Sequence, residues 1–265
     1  MEWNYRDNIA SVRVIERESE PDDGEYYVYD ASGSRVRKVT ERYLGEGQVE
    51  VEEKVYLGGI EIKRINRQNS TILERSTLHV MDDKSRIGVV HYWEKDDFQR
   101  EVEDGSWMGV NRSRYQYGNH LGSAGLEVDG EGQVISYEEY FAYGGTSFIA
   151  GSSQAEVKLK EYRYTGKERD DTTGLYYYEA RYYCPWMGRF MSVDPAQDGM
   201  NWYIYTSSNP LNFSDPTGFF TFGDVMAIVT GVHNTVAERS AVQINSYIFG
   251  ANAVANFPVT LSLLG

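Results

Sequence analysis

From its start to about Gly218 the chain largely alternates apolar and charged positions. In "GEYYVYDASGSRVRKVTERY", Tyr27 and Tyr29 fall on one side of an extended chain and Val28 on the other. After "DASGS", Val36 alternates with Arg35 and Arg37. A period of two marks a half-buried strand, and an Asp/Ser/Gly cluster is turn chemistry. "VEVEEKVYLGGIEIKRI" repeats the pattern: Val49 and Val51 alternate with Glu50 and Glu52, Gly58 and Gly59 turn the chain, and Ile60 and Ile62 alternate with Glu61 and Lys63. "STLHVMDDKSRIGVVHYWEK" reads as a third hairpin turning at Asp82 and Asp83, and "LEVDGEGQVISYEEYFAYGG" as a fourth turning at "DGEG". No segment before Gly218 has a convincing helical period. The pattern predicts an all-β chain of antiparallel hairpins.

The hairpins share a grammar. Tyr29 and Asp30 with Gly33 and Arg35 form one copy of a degenerate repeat, and "YFAYGGTS" and "YRYTGKERDDTTGLYYY" look like later copies. A β-sandwich with ordinary Tyr-rich strands would explain the alternation but not the recurring Tyr/Gly placement. The tyrosines at 176–178 and 182–183 read as a ladder facing neighbouring strands of a narrow sheet. "CPWMGRF" leaves that sheet, with Pro185, Trp186 and Phe190 wedging the plug that carries the aspartates.

After Gly218 the grammar changes. Residues 219 to 265 carry only Asp224, Glu238 and Arg239 as charges besides a histidine. Val225, Ile228, Val229, Val232 and Val236 recur at helical spacing, which predicts a helix over 224–239. The apolar end is interrupted by Asn, Ser and Pro and makes a poor membrane span. Two readings stay open for it: a remnant that packs on the sheet, or a membrane-active passenger.

Composition narrows the function classes. The 265 residues carry a formal net charge of −14, which argues against a nucleic-acid partner, since such binding depends on neutralising phosphates. Hydrophobic residues at 41% suit a globular chain, and 22 Tyr with 26 Gly suit strands and tight turns. Cys184 is the sole cysteine, so no internal disulfide forms. His79, His91, His120 and His233 are scattered without metal-ligand spacing, and nothing calls for a cofactor. "MEWNYRDN" is not a signal peptide, so export, if it occurs, is expected to proceed from the cytoplasm without a Sec signal.

The candidate chemistry is Arg181, Asp194 and Asp215. Each aspartate precedes a proline, Pro195 and Pro216, as in Asx-type turns that end strands. Alternatively the two carboxylates pair. Two close carboxylates do not both ionise cheaply, so one takes a proton from water while the other donates to a peptide, and an arginine orients the pair. Cys184 lacks a nearby histidine in sequence and reads as a buried structural thiol. Arg189 reads as a sheet-edge arginine, and "GNHLGS" as a tight turn holding a hydrogen-bonded His120. "YTGKERD" lacks the glycine spacing and the hydroxyl of a phosphate loop.

"YYVYDASGSRVRKVTE", "VYLGGIEI", "YQYGNHLGSAGLEVDGEGQVISYEEYFAYGGTS", "VKLKEYRYTGKERDDTTGLYYYEARYY", "GRFMSVDP" and "NPLNFSDPTG" together resemble the C-terminal end of RHS/YD-repeat proteins, nearest the TccC-type component of bacterial insecticidal toxin complexes. The resemblance implies a β-sheet strip spiralling into part of a hollow shell (1–160), a core plug (161–218) and a variable tail (219–265) kept inside as cargo. It implies other shell and pore subunits as partners and delivery outside the cell. It also implies an aspartyl self-cleavage site at Arg181, Asp194 and Asp215, cutting between Phe219 and Phe220. The family's usual "DPxGL" is here "DPTGF", and a full shell needs more repeats than 265 residues hold. The rival expectations are a non-cleaving adhesion module, like the YD shells of eukaryotic cell-surface proteins, and a truncated remnant without function.

Overall fold

The structure is a computed structural model that describes residues 1–82, 86–98, 107–197 and 201–219. The helix expected over 224–239, the apolar end, Asp83 and Phe220 lie outside the described residues.

Up to Gly151 the chain forms one open sheet of 12 antiparallel strands in sequence order. They are β1 (Glu2–Trp3), β2 (Ile9–Ile15), β3 (Asp23–Tyr29), β4 (Arg35–Gly45), β5 (Gln48–Leu57) and β6 (Ile60–Arg67), then β7 (Ser70–Met81), β8 (Arg86–Asp96), β9 (Asn111–Gly118), β10 (Ala124–Val128), β11 (Val134–Tyr140) and β12 (Thr146–Gly151). A short helix, α1 (Gln154–Leu159), leads to a second antiparallel sheet of β13 (Glu168–Arg169), β14 (Tyr176–Tyr178), β15 (Arg181–Cys184) and β16 (Arg189–Phe190).

The repeat grammar is one turn used again and again. In the loop 30–34 the Asp30 carboxylate accepts from the Ser32 and Ser34 amides, and Gly33 takes φ +90°. Asn119 and Asp129 do the same two and four residues on, with Gly122 and Gly132 both at φ +79°. The loops 141–145 and 163–167 close with the same pair of backbone hydrogen bonds and carry Gly144 and Gly166 at positive φ. The fourth loop position needs the left-handed region, which glycine enters without a Cβ penalty. At Gly144 there is a second reason, since a Cβ would sit 2.4 Å from the Tyr164 ring.

The alternation is there, but the burial it produces is unusual. From β3 to β8 many apolar side chains do not face the covered side. Val28, Leu57, Ile60, Leu78, Val80 and Ile87 are each more than a third exposed. The covered side carries Glu25, Arg35, Lys38, Lys54, Glu61, Arg75, His91 and Arg114, all nearly inaccessible. Over Arg35, Lys38 and Lys54 lies the second sheet, which brings charges of opposite sign. Arg35 donates to Glu168 at 2.6 Å and to Asp170 at 2.8 Å. Lys38 reaches Asp170 at 2.6 Å, and Lys54 lies within 2.9 Å of Glu61, Glu161 and Glu168. Lys63 and Arg75 complete the cluster on Glu161.

This latch ties the second sheet to the strip and has a pH signature. Burial opposes the charge of Glu168 and Glu161. Lys54 and Lys38 overcome this at Glu168, and Lys54, Arg75 and Lys63 at Glu161, so both carboxyls are held well below the ordinary glutamate value of 4.5. A lowered folded value means the stabilisation is complete above the unfolded value and is lost as pH falls through the folded one. The urea midpoint should therefore be nearly flat from about pH 7 to 5 and fall steadily once the pH drops below about 4.5. A midpoint that stays flat to about pH 3 would show that the latch contributes nothing.

Helix α1 is not legible in the pattern. It has six residues, under two turns, too short for a helical period to show. Its local signal is the cap: the Ser153 side chain accepts from the Glu156 amide. Glu156 is then buried between Arg112 and Arg114 of β9.

Candidate functional site

The tyrosine ladder builds the second sheet. Tyr176 pairs with Tyr183, Tyr177 with Tyr182 and Tyr178 with Arg181, joined by a two-residue turn in which Glu179 takes φ +60°. Alternation sends Tyr177 and Tyr182 to the strip, where they pack near Ile9, Tyr27 and Cys184. It sends Tyr176, Tyr178 and Tyr183 to the opposite face, where they join Tyr164, Phe190 and Tyr205 in an aromatic core. Pro185 is buried and Phe190 is part of that core, but Trp186 is 65% exposed. The expected wedge therefore loses its tryptophan, which sits on the loop between β15 and β16 rather than under the sheet.

Arg181 opens β15 on the aromatic-core face and is 2% exposed. The sequence places Asp194 and Asp215 in Asx turns or at a shared site, and the geometry does both. Proline has no N–H, so each carboxylate skips it and caps the amides beyond. Asp194 Oδ1 accepts from the Ala196 amide at 2.9 Å. Asp215 Oδ1 accepts from the amides of Thr217 at 3.1 Å and Gly218 at 2.7 Å. The second oxygen of each aspartate turns to the same guanidinium nitrogen. Arg181 Nη2 lies 3.5 Å from Asp194 Oδ2 and 3.4 Å from Asp215 Oδ2. Both aspartates are almost wholly buried.

Two holds on Arg181 go beyond the sequence reading. Its Nη1 donates to the Trp202 carbonyl at 3.0 Å, an oxygen that also accepts from the Asp194 amide. Its guanidinium carbon stands 3.7 Å from the centroid of the Phe190 ring. A main-chain acceptor leaves no mark in a sequence; the "GRF" motif is the only signal for Phe190. Burial pushes the Arg181 guanidinium below its ordinary value, against the pull of Asp215 and then Asp194.

The chain leaves the site through Gly218 and Phe219. The Thr217 carbonyl accepts from the Ala180 amide, seating residues 215–218 beside the β14–β15 turn. Gly218 has φ +75°, and a Cβ there would lie 2.6 Å from the Tyr178 carbonyl oxygen. Phe219 is 39% exposed.

The other candidates fall away from this centre. Cys184 is free and fully buried, and burial pushes its thiol up, away from the thiolate. His120 sits in the tight turn that Asn119 caps, and its ring bonds the Leu211 carbonyl at 2.8 Å. Arg189 is exposed on β16. Among the described residues no group of three or more His, Cys, Asp and Glu side chains is arranged to hold a metal ion, and no helix is long and apolar enough to cross a membrane.

A strip of antiparallel hairpins with one recurring turn, clipped to a small aromatic sheet, defines an RHS-type, YD-repeat architecture. The relatives bear this out, although no protein-family model matches the chain. The chain is 39% identical over 221 residues to toxin subunit YenC1 of Yersinia entomophaga, covering 82% of this chain and 22% of that subunit. The TcdB2–TccC3 crystal structure superposes with a TM-score of 0.74 at 37% identity, covering 82% of this chain and 10% of that one. The Tc holotoxin pore of Photorhabdus luminescens gives 0.75 at 36% identity with the same coverage. The chain is an RHS-associated core related to TccC. It spans about a fifth of the length of the toxin subunits it matches.

Proposed function

We propose that the chain is the closing part of an RHS toxin shell, with residues 1–160 as wall and 161–218 as plug. We propose further that the plug cuts the chain once, between Phe219 and Phe220, and so frees the segment beyond as cargo. The observation that carries this reading is the pair of aspartates turned onto one nitrogen of Arg181, with Asp215 close in sequence to the bond. Hydrolysis needs one carboxylate ionised and one protonated, and a buried pair sharing one cation suits that division. The ionised carboxylate takes a proton from water, whose oxygen attacks the Phe219 carbonyl carbon. The protonated one gives its proton to the Phe220 nitrogen as the C–N bond breaks. The proposed partners are shell and pore subunits of the toxin-complex type, a reading the TcdB2–TccC3 and Tc holotoxin pore neighbours support, and the proposal includes delivery outside the cell. The negative charge of the chain leaves nucleic acid an unsuitable partner.

Intact mass of freshly expressed protein tests the proposal. Self-cleavage gives two pieces, the smaller beginning at Phe220. A chain that keeps its full-length mass, alone and with a longer shell partner, leaves a non-cleaving structural module. Gly218→Ala sharpens the test. Its methyl group meets backbone rather than a movable side chain, so the segment must shift away from Asp215. A displacement of this size should slow the cut by about tenfold or more, with the tyrosine core and its melting midpoint nearly unchanged.

A further inference from the structure

The contacts that hold Arg181 are uneven. Its links to the aspartates are long, 3.4 and 3.5 Å, and both run through one nitrogen rather than a two-pronged fork. Such links leave the guanidinium plane free to rock about Nη2. The Trp202 carbonyl fixes Nη1 at 3.0 Å. The remaining close hold is an aromatic face, the Phe190 ring at 3.7 Å.

That ring is itself locked. Phe190 is 2% exposed, and Tyr178, Tyr183 and Tyr205 surround it with centroids at 5.7 Å and planes inclined by 88°, 65° and 65°. Its backbone is pinned on both sides, since its amide donates to the Tyr203 carbonyl and the next amide, Met191, donates to the Tyr182 carbonyl. Register sets the rest: Phe190 pairs with Tyr183, two positions along β15 from Arg181 and on the same face. The face of an aromatic ring is its negative part, so it attracts a cation most strongly where water is excluded.

We propose that Phe190 is a positioning residue for the self-cleavage site: its ring face holds the Arg181 guanidinium in the plane from which Nη2 reaches both Asp194 and Asp215. The inference rests on the cleavage reading above. Phe190 acts through Arg181, on whose guanidinium its ring lies.

Ring fluorination tests this with little change of shape. The full chain is made by cell-free translation with phenylalanine, 4-fluoro-, 3,5-difluoro- or 3,4,5-trifluorophenylalanine at position 190. Appearance of the fragment beginning at Phe220 is followed by intact mass. Each fluorine drains the ring face, so the rate should fall stepwise, by about tenfold across the series. The melting midpoints of the same four proteins carrying Asp215→Asn should agree within a few degrees, which a role confined to core packing would also give. The stepwise rate is what such a role would not produce. Phe190→Leu should be slower still, and Phe190→Trp, which restores an aromatic face, should recover part of the loss. Equal rates across the fluorinated series would overturn the inference and leave the cleavage reading standing. A phenylalanine chain that is never cut would remove both.

Discussion

Asp215→Asn should leave the chain at its full-length mass, whereas the proposed cut should give the wild type as two pieces. The asparagine keeps an oxygen for the Thr217 and Gly218 amides, so the turn survives. What is lost is the oxygen that takes or gives the proton. Loss of a positioned acid or base costs about 100-fold to 10,000-fold, which for a single-turnover cut reads as none. Asp194→Asn should do the same, since its Ala196 cap is likewise preserved. Arg181→Ala should abolish or strongly slow the cut by leaving two buried carboxylates without the cation between them. Cys184→Ser should be cut normally, because a buried thiol pushed away from ionisation takes no part. An Asp215→Asn chain cut as fast as wild type would end the aspartyl reading.

The largest effect on stability is expected at Lys54. It is 1% exposed, and its ammonium lies between Glu61, Glu161 and Glu168 at 2.7 to 2.9 Å. Burial works against its charge, and Glu161, Glu168 and Glu61 raise its proton affinity well above the ordinary lysine value. Lys54→Met nearly keeps the length of the side chain and removes the one cation that Glu61, Glu161 and Glu168 share. Breaking a buried group of this kind costs about 3–5 kcal/mol. The exposed pair Arg37 and Glu53 is the control, and Arg37→Met should cost no more than about 1 kcal/mol. Urea unfolding of both variants in the uncleavable Asp215→Asn background would measure the difference. A Lys54→Met midpoint matching that of Arg37→Met would show that the latch does not hold the two sheets together.

The strands and turns are legible because their causes are local. Period-two alternation and an Asx-plus-glycine loop act within a single hairpin, so the hairpins at 24–63 and 124–140 can be read directly. Helix α1 escapes because so short an element holds too little periodicity, and its evidence is one capping serine. Trp186 reads as a wedge from its aromatic neighbours, yet its loop ends in solvent. At the candidate site the sequence names Arg181, Asp194 and Asp215, but does not choose between turn and catalytic pair. In three dimensions the turns form without excluding the pair, since one oxygen of each aspartate caps its turn and the other lies near Arg181. The holds of Phe190 and the Trp202 carbonyl on Arg181 stay hidden because they depend on which face of β15 looks at which loop.

By itself, then, the sequence determined that this chain is a series of antiparallel hairpins, where three of them turn ("DASGS", Gly58–Gly59 and "DGEG"), and which three polar residues are candidates for chemistry. Only the tertiary structure decided which face of the strip is buried. Hydrophobicity would have turned the valines and isoleucines inward, but the element laid across the strip presents Glu161, Glu168 and Asp170, and five cations on β4 to β7 turn to meet them. Alternation specifies two faces, and only a partner surface tells them apart, because burial of a charge is tolerable only opposite another charge.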